Sequence, residues 1–336
     1  MPSGRIVVLA HPAAGRGQVG RHLAGVVAAL GPADPVVLPA SSPADAIAAA
    51  RRAVEAGAAG VVAVGGDGTM HLALQAVAGT KVPLGVVPLG TGNDLADAVG
   101  VPADPIDAAR AVLADLRVAR TTALDAVRVT TAGHGSAGHG GAGHGGAGHG
   151  GAGHGSAGRG GEPHPSGALP GWYAAILSVG FDSAVNARAN RMRWPRGPRR
   201  YDLAILVELA RLRRYALTLD LDGTTVETPA LLAAIGNTRS YGGGMRMCPD
   251  ADPTDGLLDV TVVEPVSRLE LIRVKPRLYS GTHVTHPAVR TYRAATIRVD
   301  APGASVYADG EPSTRLPLEL RCVPGAVRLI GAQLSG

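Results

Sequence analysis

Two stretches of this chain set glycine, acidic and amide side chains at the ends of apolar runs. The first, Gly65-Gly66-Asp67-Gly68-Thr69, follows the run Gly60–Val64. Glycines after a buried strand let backbone N–H groups come close to phosphate oxygens, and a helix opening near Thr69 adds the positive end of its dipole. Asp67 would repel a phosphate directly. It fits such a cradle if it reaches a magnesium ion, directly or through water, or else it is an ordinary capping residue in a tight turn. The second stretch, Pro88-Leu89-Gly90-Thr91-Gly92-Asn93-Asp94, follows Val82–Val87 and opens another helix. Thr91 and Asn93 offer side-chain hydrogen bonds, and Gly90 and Gly92 offer close approach. Two such loops on adjacent strand ends make a composite crevice for a phosphate-bearing ligand. No Gly-Lys-Ser/Thr occurs, and the glycine spacing is not that of the dinucleotide fingerprint.

The elements that hold these loops follow from the apolar periodicity. Ile6–Ala10, Val36–Leu38, Gly60–Val64 and Val82–Val87 read as strands. Between them, Gln18–Leu30 has helical spacing, and Ser42-Pro43 starts a helix that reaches about Ala56 and stops at Gly57. The alternation predicts a parallel sheet covered by helices on both faces over residues 1–125. Beyond it, short β-rich runs at Trp172–Val179, Ala216–Leu221, Leu231–Ile235, Leu257–Val263, Thr296–Val299 and Leu318–Val323 predict a mainly antiparallel domain over 126–336. Helical spacing returns there at Arg200–Leu212 and Arg268–Leu278, and the extreme C-terminal segment is expected to pack back on the first domain. Residues 133–162 are a five-residue Gly/His repeat carrying His134, His139, His144, His149 and His154. With no core-forming side chain, it is expected to be a flexible loop, either a tolerated expansion or a weak site for Ni²⁺, Cu²⁺ or Zn²⁺.

Composition narrows the class. The chain has 336 residues, 46% of them hydrophobic but only 3% aromatic, so aliphatic packing must build two cores. The net charge of +5 rests almost wholly on arginine, since the lysines are Lys81 and Lys275. That balance suits anionic partners. Two cysteines without a Cys-x-x-Cys argue against a zinc framework and for a reducing compartment. No apolar run is long enough for a membrane span and no signal-peptide pattern opens the chain, so the expectation is a cytoplasmic protein.

Taken together the motifs resemble the diacylglycerol kinase catalytic domain family, which includes bacterial lipid kinases and is related to sphingosine and ceramide kinases. The resemblance lies in Gly-Gly-Asp-Gly-Thr followed by Pro-x-Gly-Thr-x-Asn-Asp. It extends to His11-Pro12-Ala13-Ala14-Gly15-Arg16-Gly17, to Ser178–Asp182, to Gly236-Asn237 through Met245 and Asp255–Val260, and to Asp309-Gly310-Glu311. It implies a Rossmann-like α/β nucleotide-binding domain and a β-sandwich domain with ATP in the cleft between them. It implies that His11, Gly15, Arg16, Gly65, Gly66, Asp67, Gly68, Thr69, Gly90, Thr91, Asn93 and Asp94 hold the nucleotide. Asp309 would be the general base on the acceptor hydroxyl with Glu311 beside it, and Asp67 would join the catalytic Mg²⁺ network. Asp255, with the backbone of its loop at Leu257, would hold a further Mg²⁺. Read without the resemblance, Asp309-Gly310 and Asp255-Gly256 are hairpin turns.

The reaction expected is ATP- and Mg²⁺-dependent phosphoryl transfer to a lipid hydroxyl. The partner expected is a lipid substrate met peripherally at the inner face of a membrane, with at most a second copy of the chain as a homodimer and no nucleic acid. Arg188–Tyr215, with nine arginines and Trp194, reads either as a docking segment or as a solvated helix and loop. The chain departs from the family at His11, where asparagine is usual, at His71, which replaces an amide, and at Leu72, which replaces an acid. These departures bear on nucleotide contacts and motivate the alternative of a kinase-like protein without turnover; the shared Gly-Gly-Asp-Gly-Thr keeps an NAD kinase or another soluble-acceptor kinase open, and the histidine repeat a metal-binding protein.

Overall fold

The computed structural model describes residues 4–10, 18–90, 92–132, 171–192, 194 and 199–333. Four strands build the first half: β1 (Ile6–Ala10), β2 (Val36–Leu38), β3 (Gly60–Gly65) and β4 (Leu84–Pro88). They lie parallel in the order β2-β1-β3-β4. The helices between and after them are α1 (Gln18–Leu30), α2 (Pro43–Glu55), α3 (Asp67–Val77), α4 (Asp94–Ala98) and α5 (Pro105–Arg117). The Ser42 hydroxyl accepts the Asp45 N–H, as its place before Pro43 predicts. Asp104 does the same for α5 by accepting from Ile106 and Asp107. Strands β1, β3 and β4 are buried along their whole length, which explains their unbroken apolar sequence. The α3 helix begins two residues before the Thr69 start expected from the sequence, so Asp67 sits in its first turn.

The second half adds β5 (Thr122–Thr131), β6 (Trp172–Tyr173), β7 (Ile176–Gly180), α6 (Phe181–Arg191), α7 (Arg199–Arg211), β8 (Tyr215–Leu221), β9 (Thr224–Ala230) and β10 (Leu232–Gly236). It closes with β11 (Leu258–Val263), α8 (Arg268–Ser280), β12 (Val289–Ala294), β13 (Thr296–Asp300), β14 (Val306–Ala308), β15 (Glu311–Pro312) and β16 (Leu318–Ile330). One six-stranded antiparallel sheet runs β12-β11-β10-β7-β14-β15. Opposite it, β5, β6, β8, β9, β13 and the first half of β16 form the other layer of a sandwich, with Tyr173, Leu177, Leu219, Ile235, Ile297 and Leu320 in the shared core.

Strand β16 runs seven residues beyond the expected Val323 end. Its first part pairs antiparallel with β5 and β13, it bulges between Val323 and Val327, and its last residues pair parallel with β4 through Leu329–Leu84 and Ile330–Gly85. The chain end therefore completes the first half's sheet and joins it to one layer of the sandwich as a single ten-stranded sheet, the six-stranded sheet staying separate. Expected strand Trp172–Val179 is split in two by Ala174-Ala175, and that break matters for the site.

Candidate active site

Asp309 and Gly310 form the two-residue turn between β14 and β15, flanked by the Ala308–Glu311 pair. Both take positive φ, 50° and 79°, which is the geometry of the tightest hairpins and suits Asp-Gly. The turn aims the Asp309 carboxylate at the break between β6 and β7. There the Ala174 N–H donates to Oδ2 at 3.1 Å and the Ala175 N–H to Oδ1 at 2.9 Å. Asn237, fully buried at the end of β10, fixes that break. Its Nδ2 donates to the Ala174 and Asp125 carbonyls at 2.9 Å each, and its own N–H donates to the Ala175 carbonyl. An unpaired backbone group here would cost on the order of 1–3 kcal/mol, so the amide both satisfies and locks the segment that holds Asp309.

Helix α3 meets this carboxylate from the other half of the molecule. His71 Nδ1 lies 3.3 Å from Asp309 Oδ2. Asp67, one turn earlier, accepts the Asn93 N–H on Oδ2 at 3.0 Å, while its buried Oδ1 has no hydrogen-bond partner among the described residues. Burial, with the charges of Asp94 and Asp309 adding to it, raises Asp67 to about 6. Glu311 is also pushed up, by burial and by Asp309 and against the opposing pull of His71. Asp67 and Asp309 are thus half-buried here with the exposed Glu311 beside them, a disposition that favours taking a proton, although among the described residues no three acids or imidazoles form a metal-binding cluster.

The glycines mostly pack the two loops together. A Cβ on Gly66 would stand 2.9 Å from Gly90 Cα, one on Gly92 2.6 Å from Asp67 Oδ2, and one on Gly68 2.9 Å from Glu311 Oε1. Asn93, in the left-handed region at φ 59°, accepts the Gly90 N–H on its side chain and so ties off the second loop. Asp94 reaches across the cleft and accepts the Gly242 and Gly243 N–H groups at 2.6 and 3.0 Å. That contact latches the first half to the loop after β10.

A cavity of about 780 Å³ opens from this corner. Asp67, Gly68, Gly92, Asp94, His71, Asp309 and Glu311 line one end; Gly65, Gly66, Thr69, Gly90 and Asn93 stand behind and hold the loops in place. The remaining wall is apolar, with Ile205 and Leu209 from α7, Leu271 and Leu278 from α8, and Met247 and Val263 between them. The first turn of α3 is capped by Gly66 with no side-chain bond, which leaves N–H donors for an anion at the polar end.

Of the residues singled out from sequence, Asp67, Asp94, Asp309 and Glu311 come together here. His11, Gly15, Arg16 and Thr91 lie outside the described residues, as does the histidine repeat. Asp255 and Leu257 do not line the cavity. Asp255 Oδ1 accepts the Leu257 N–H at 2.9 Å, and Oδ2 is paired with Arg293, which also bridges to Asp259. Sequence reasoning gave no role to Ala174, Ala175 or Asn237, although Gly236-Asn237 stood out as a motif. It placed no site residue on α8, whose Leu and Val spacing was visible. Among the described residues no helix is long and apolar enough to cross a membrane.

Comparison with known proteins bears on this geometry. Residues 5–127 match the diacylglycerol kinase catalytic domain, and residues 175–331 match the YegS C-terminal NAD kinase beta sandwich-like domain. The chain is 37% identical over 330 residues to a protein of Mycobacterium tuberculosis named "Diacylglycerol kinase", covering 97% of this chain and 95% of that one. It is 29% identical over 292 residues to a Xanthomonas oryzae protein named "Probable lipid kinase YegS-like", covering 82% and 80%. A crystal structure of a diacylglycerol kinase from Bacillus anthracis shares the fold with a TM-score of 0.69 at 19% identity, over 97% and 96% of the two chains.

Proposed function

This chain belongs to the diacylglycerol kinase catalytic domain family, and we propose that it transfers the γ-phosphoryl group of ATP to the free hydroxyl of diacylglycerol or a closely related lipid, with magnesium. The observation that carries the reading is the two-ended cavity. Its carboxylate corner suits a hydroxyl about to lose a proton, and its α7 and α8 walls suit an acyl chain. An NAD acceptor would leave its polar groups facing those apolar walls.

In this reading Asp309 accepts the hydroxyl proton while the lipid oxygen bonds to the γ-phosphorus and the bond from that phosphorus to the ADP oxygen breaks. An alcohol is too weak an acid to react without such a base. The Ala174 and Ala175 N–H groups keep the carboxylate in place, and the N–H donors opening α3 receive phosphate oxygens. Asp67 is the residue to hold magnesium, because its Oδ1 is buried and unpartnered and its raised pKa of about 6 still leaves a carboxylate at neutral pH. Magnesium, when bound, neutralises charge on the transferring phosphates. A further ion at Asp255 and Leu257 would have to displace Arg293 from the Asp255 carboxylate.

The membrane is the proposed partner because the acceptor resides there. Leu206 on α7, Leu269, Ile272 and Tyr279 on α8, and Trp194 before α7 are all exposed, and Arg273 and Lys275 stand exposed among them. An apolar face rimmed by cations beside the cavity suits an anionic bilayer. The protein should therefore sediment with phosphatidylglycerol vesicles more than with phosphatidylcholine vesicles, and Ile272→Asp should weaken that binding.

The direct test is phosphate transfer from magnesium–ATP to a panel of diacylglycerol, sphingosine, phosphatidylglycerol and NAD, with Asp309→Ala beside the wild type. Transfer to diacylglycerol that disappears in the variant is the expected result. Transfer to NAD alone would overturn the lipid reading.

A further inference from the structure

His71 stands where the family resemblance calls for an amide, and its surroundings fix which nitrogen carries its proton. The chain of contacts begins at Trp172 on β6. The Trp172 N–H donates to Gln75 Oε1 at 2.9 Å, and Gln75 Nε2 donates to the Trp172 carbonyl at 2.7 Å. Both bonds reverse sense if the amide turns over, so its orientation is set by backbone. Gln75 therefore presents an N–H toward His71, whose carbonyl lies at 3.2 Å and whose ring Nε2 lies at 3.4 Å. The Gln75 N–H is nearer the carbonyl than the ring, so the deciding contact is the Asp309 carboxylate, an acceptor, against Nδ1. The neutral imidazole then carries its hydrogen on Nδ1, 3.3 Å from Asp309 Oδ2.

We propose that His71 is a positioning residue for the phosphoryl transfer: as the Nδ1–H tautomer it donates to Asp309 Oδ2 and holds that carboxylate for the acceptor hydroxyl, and its protonation disables the site in acid. The inference rests on the lipid kinase reading for its activity arm only. Protonation places a second N–H on Nε2 against the Gln75 N–H. Gln75 must then turn and release Trp172, two residues before the Ala174 and Ala175 N–H groups that hold Asp309. An imidazolium would also draw Asp309 into an ion pair and weaken it as a base.

The groups that act on the His71 ring are Gln75 on its own helix and Asp309 and Glu311 from the β14–β15 hairpin. Burial alone lowers the imidazole's affinity for a proton, but Asp309 and Glu311 outweigh it and move His71 upward from its usual range. The acid limb should thus lie above that of a free imidazole.

Two measurements test this, each on the full chain. Nitrogen-15 NMR of histidine-labelled protein at about pH 8, with the His71 signals assigned by their loss in His71→Asn, should show a protonated Nδ1 and a bare Nε2. The Nε2–H tautomer would overturn the proposal whatever the enzyme acts on. In the diacylglycerol assay, His71→Asn supplies an amide donor without a titrating group. It should keep kcat within about threefold at pH 8 and move the acid limb to lower pH, where Asp67 still titrates, whereas His71→Ala, shown folded by circular dichroism, should lose about 10- to 100-fold in kcat with KM for ATP unchanged. An acid limb unmoved in His71→Asn, or a wild-type kcat in His71→Ala, rejects the role. A wild-type protein inactive on every acceptor counts against the lipid kinase reading alone, and the tautomer still decides His71.

Discussion

Two hairpins of this chain are built alike. Asp222-Gly223 joins β8 to β9 with φ of 50° and 91°, and Asp309-Gly310 joins β14 to β15 with φ of 50° and 79°. In each, the aspartate carboxylate accepts two consecutive backbone N–H groups, Ala295 and Thr296 for Asp222, Ala174 and Ala175 for Asp309. Asp222 does this in solvent at the end of the sheet. The side chain of Asp309 is 9% exposed, beside His71, near Glu311 and Asp67, at the wall of a cavity. The turn is thus a local device with no chemistry of its own. What faces the carboxylate decides whether it braces a sheet or takes a proton.

The sharpest way to break that comparison is the same substitution at both turns. Asparagine tolerates the left-handed backbone, so Asp309→Asn and Asp222→Asn should both fold. The first should lower kcat by about 10²–10⁴ with little change in stability, and the second should leave kcat alone while costing about 1–2 kcal/mol in urea unfolding. Equal losses of activity would mean that the hairpin, and not its setting, matters.

A smaller effect is expected one step behind the carboxylate. Asn237→Leu leaves the Ala174 carbonyl unpaired and frees the break that holds Asp309. Activity should fall about 10- to 100-fold and stability by about 1–3 kcal/mol, measured by initial rates and by urea unfolding.

The acid corner should also show in the pH dependence of stability. Asp67 titrates at about 6 when folded against an ordinary 3.8. The folded state therefore holds this proton to higher pH than the unfolded chain, so stability is present below about pH 4 and is lost as pH rises to about 6. A shift of this size corresponds to about 2–3 kcal/mol. Asp67→Asn should remove that slope and raise the melting temperature at neutral pH, while magnesium should raise the melting temperature of the wild type only.

The smallest effect is expected from deleting residues 133–161. β5 and β6, which flank the repeat, pair through Val127–Tyr173 and Arg128–Trp172, so a short connection can replace it. Lipid kinase activity should stay within about twofold, and any Ni²⁺ or Cu²⁺ uptake seen by calorimetry should vanish. Loss of activity in a folded deletion would give the repeat a catalytic role.

What could be read beforehand was whatever neighbours in sequence dictate. The parallel strands, α1, the Ser42 cap and the placing of Asp309 in a turn all follow from periodicity, capping and glycine. The Asp104-Pro105 start of α5 carried the same signal as Ser42-Pro43 and was there to be read. His71 and Asp309 lie 238 positions apart, and Asn237 reaches Asp125 across 112; no local pattern encodes such meetings. Likewise the helical spacing of α8 is legible in the sequence, but not that none of its residues is buried and that it walls the cavity.

The sequence by itself determined the elements, the family and which residues were able to carry chemistry, because strand and helix periods, caps and Asp-Gly turns act over a few residues. Only the tertiary structure decided which of three Asp-Gly turns faces a cavity, which nitrogen of His71 meets the carboxylate, and that β16 closes the first sheet. Those outcomes depend on burial and hydrogen bonds between segments that share no stretch of chain, and a low-dielectric setting strengthens such contacts only once the fold has brought them together.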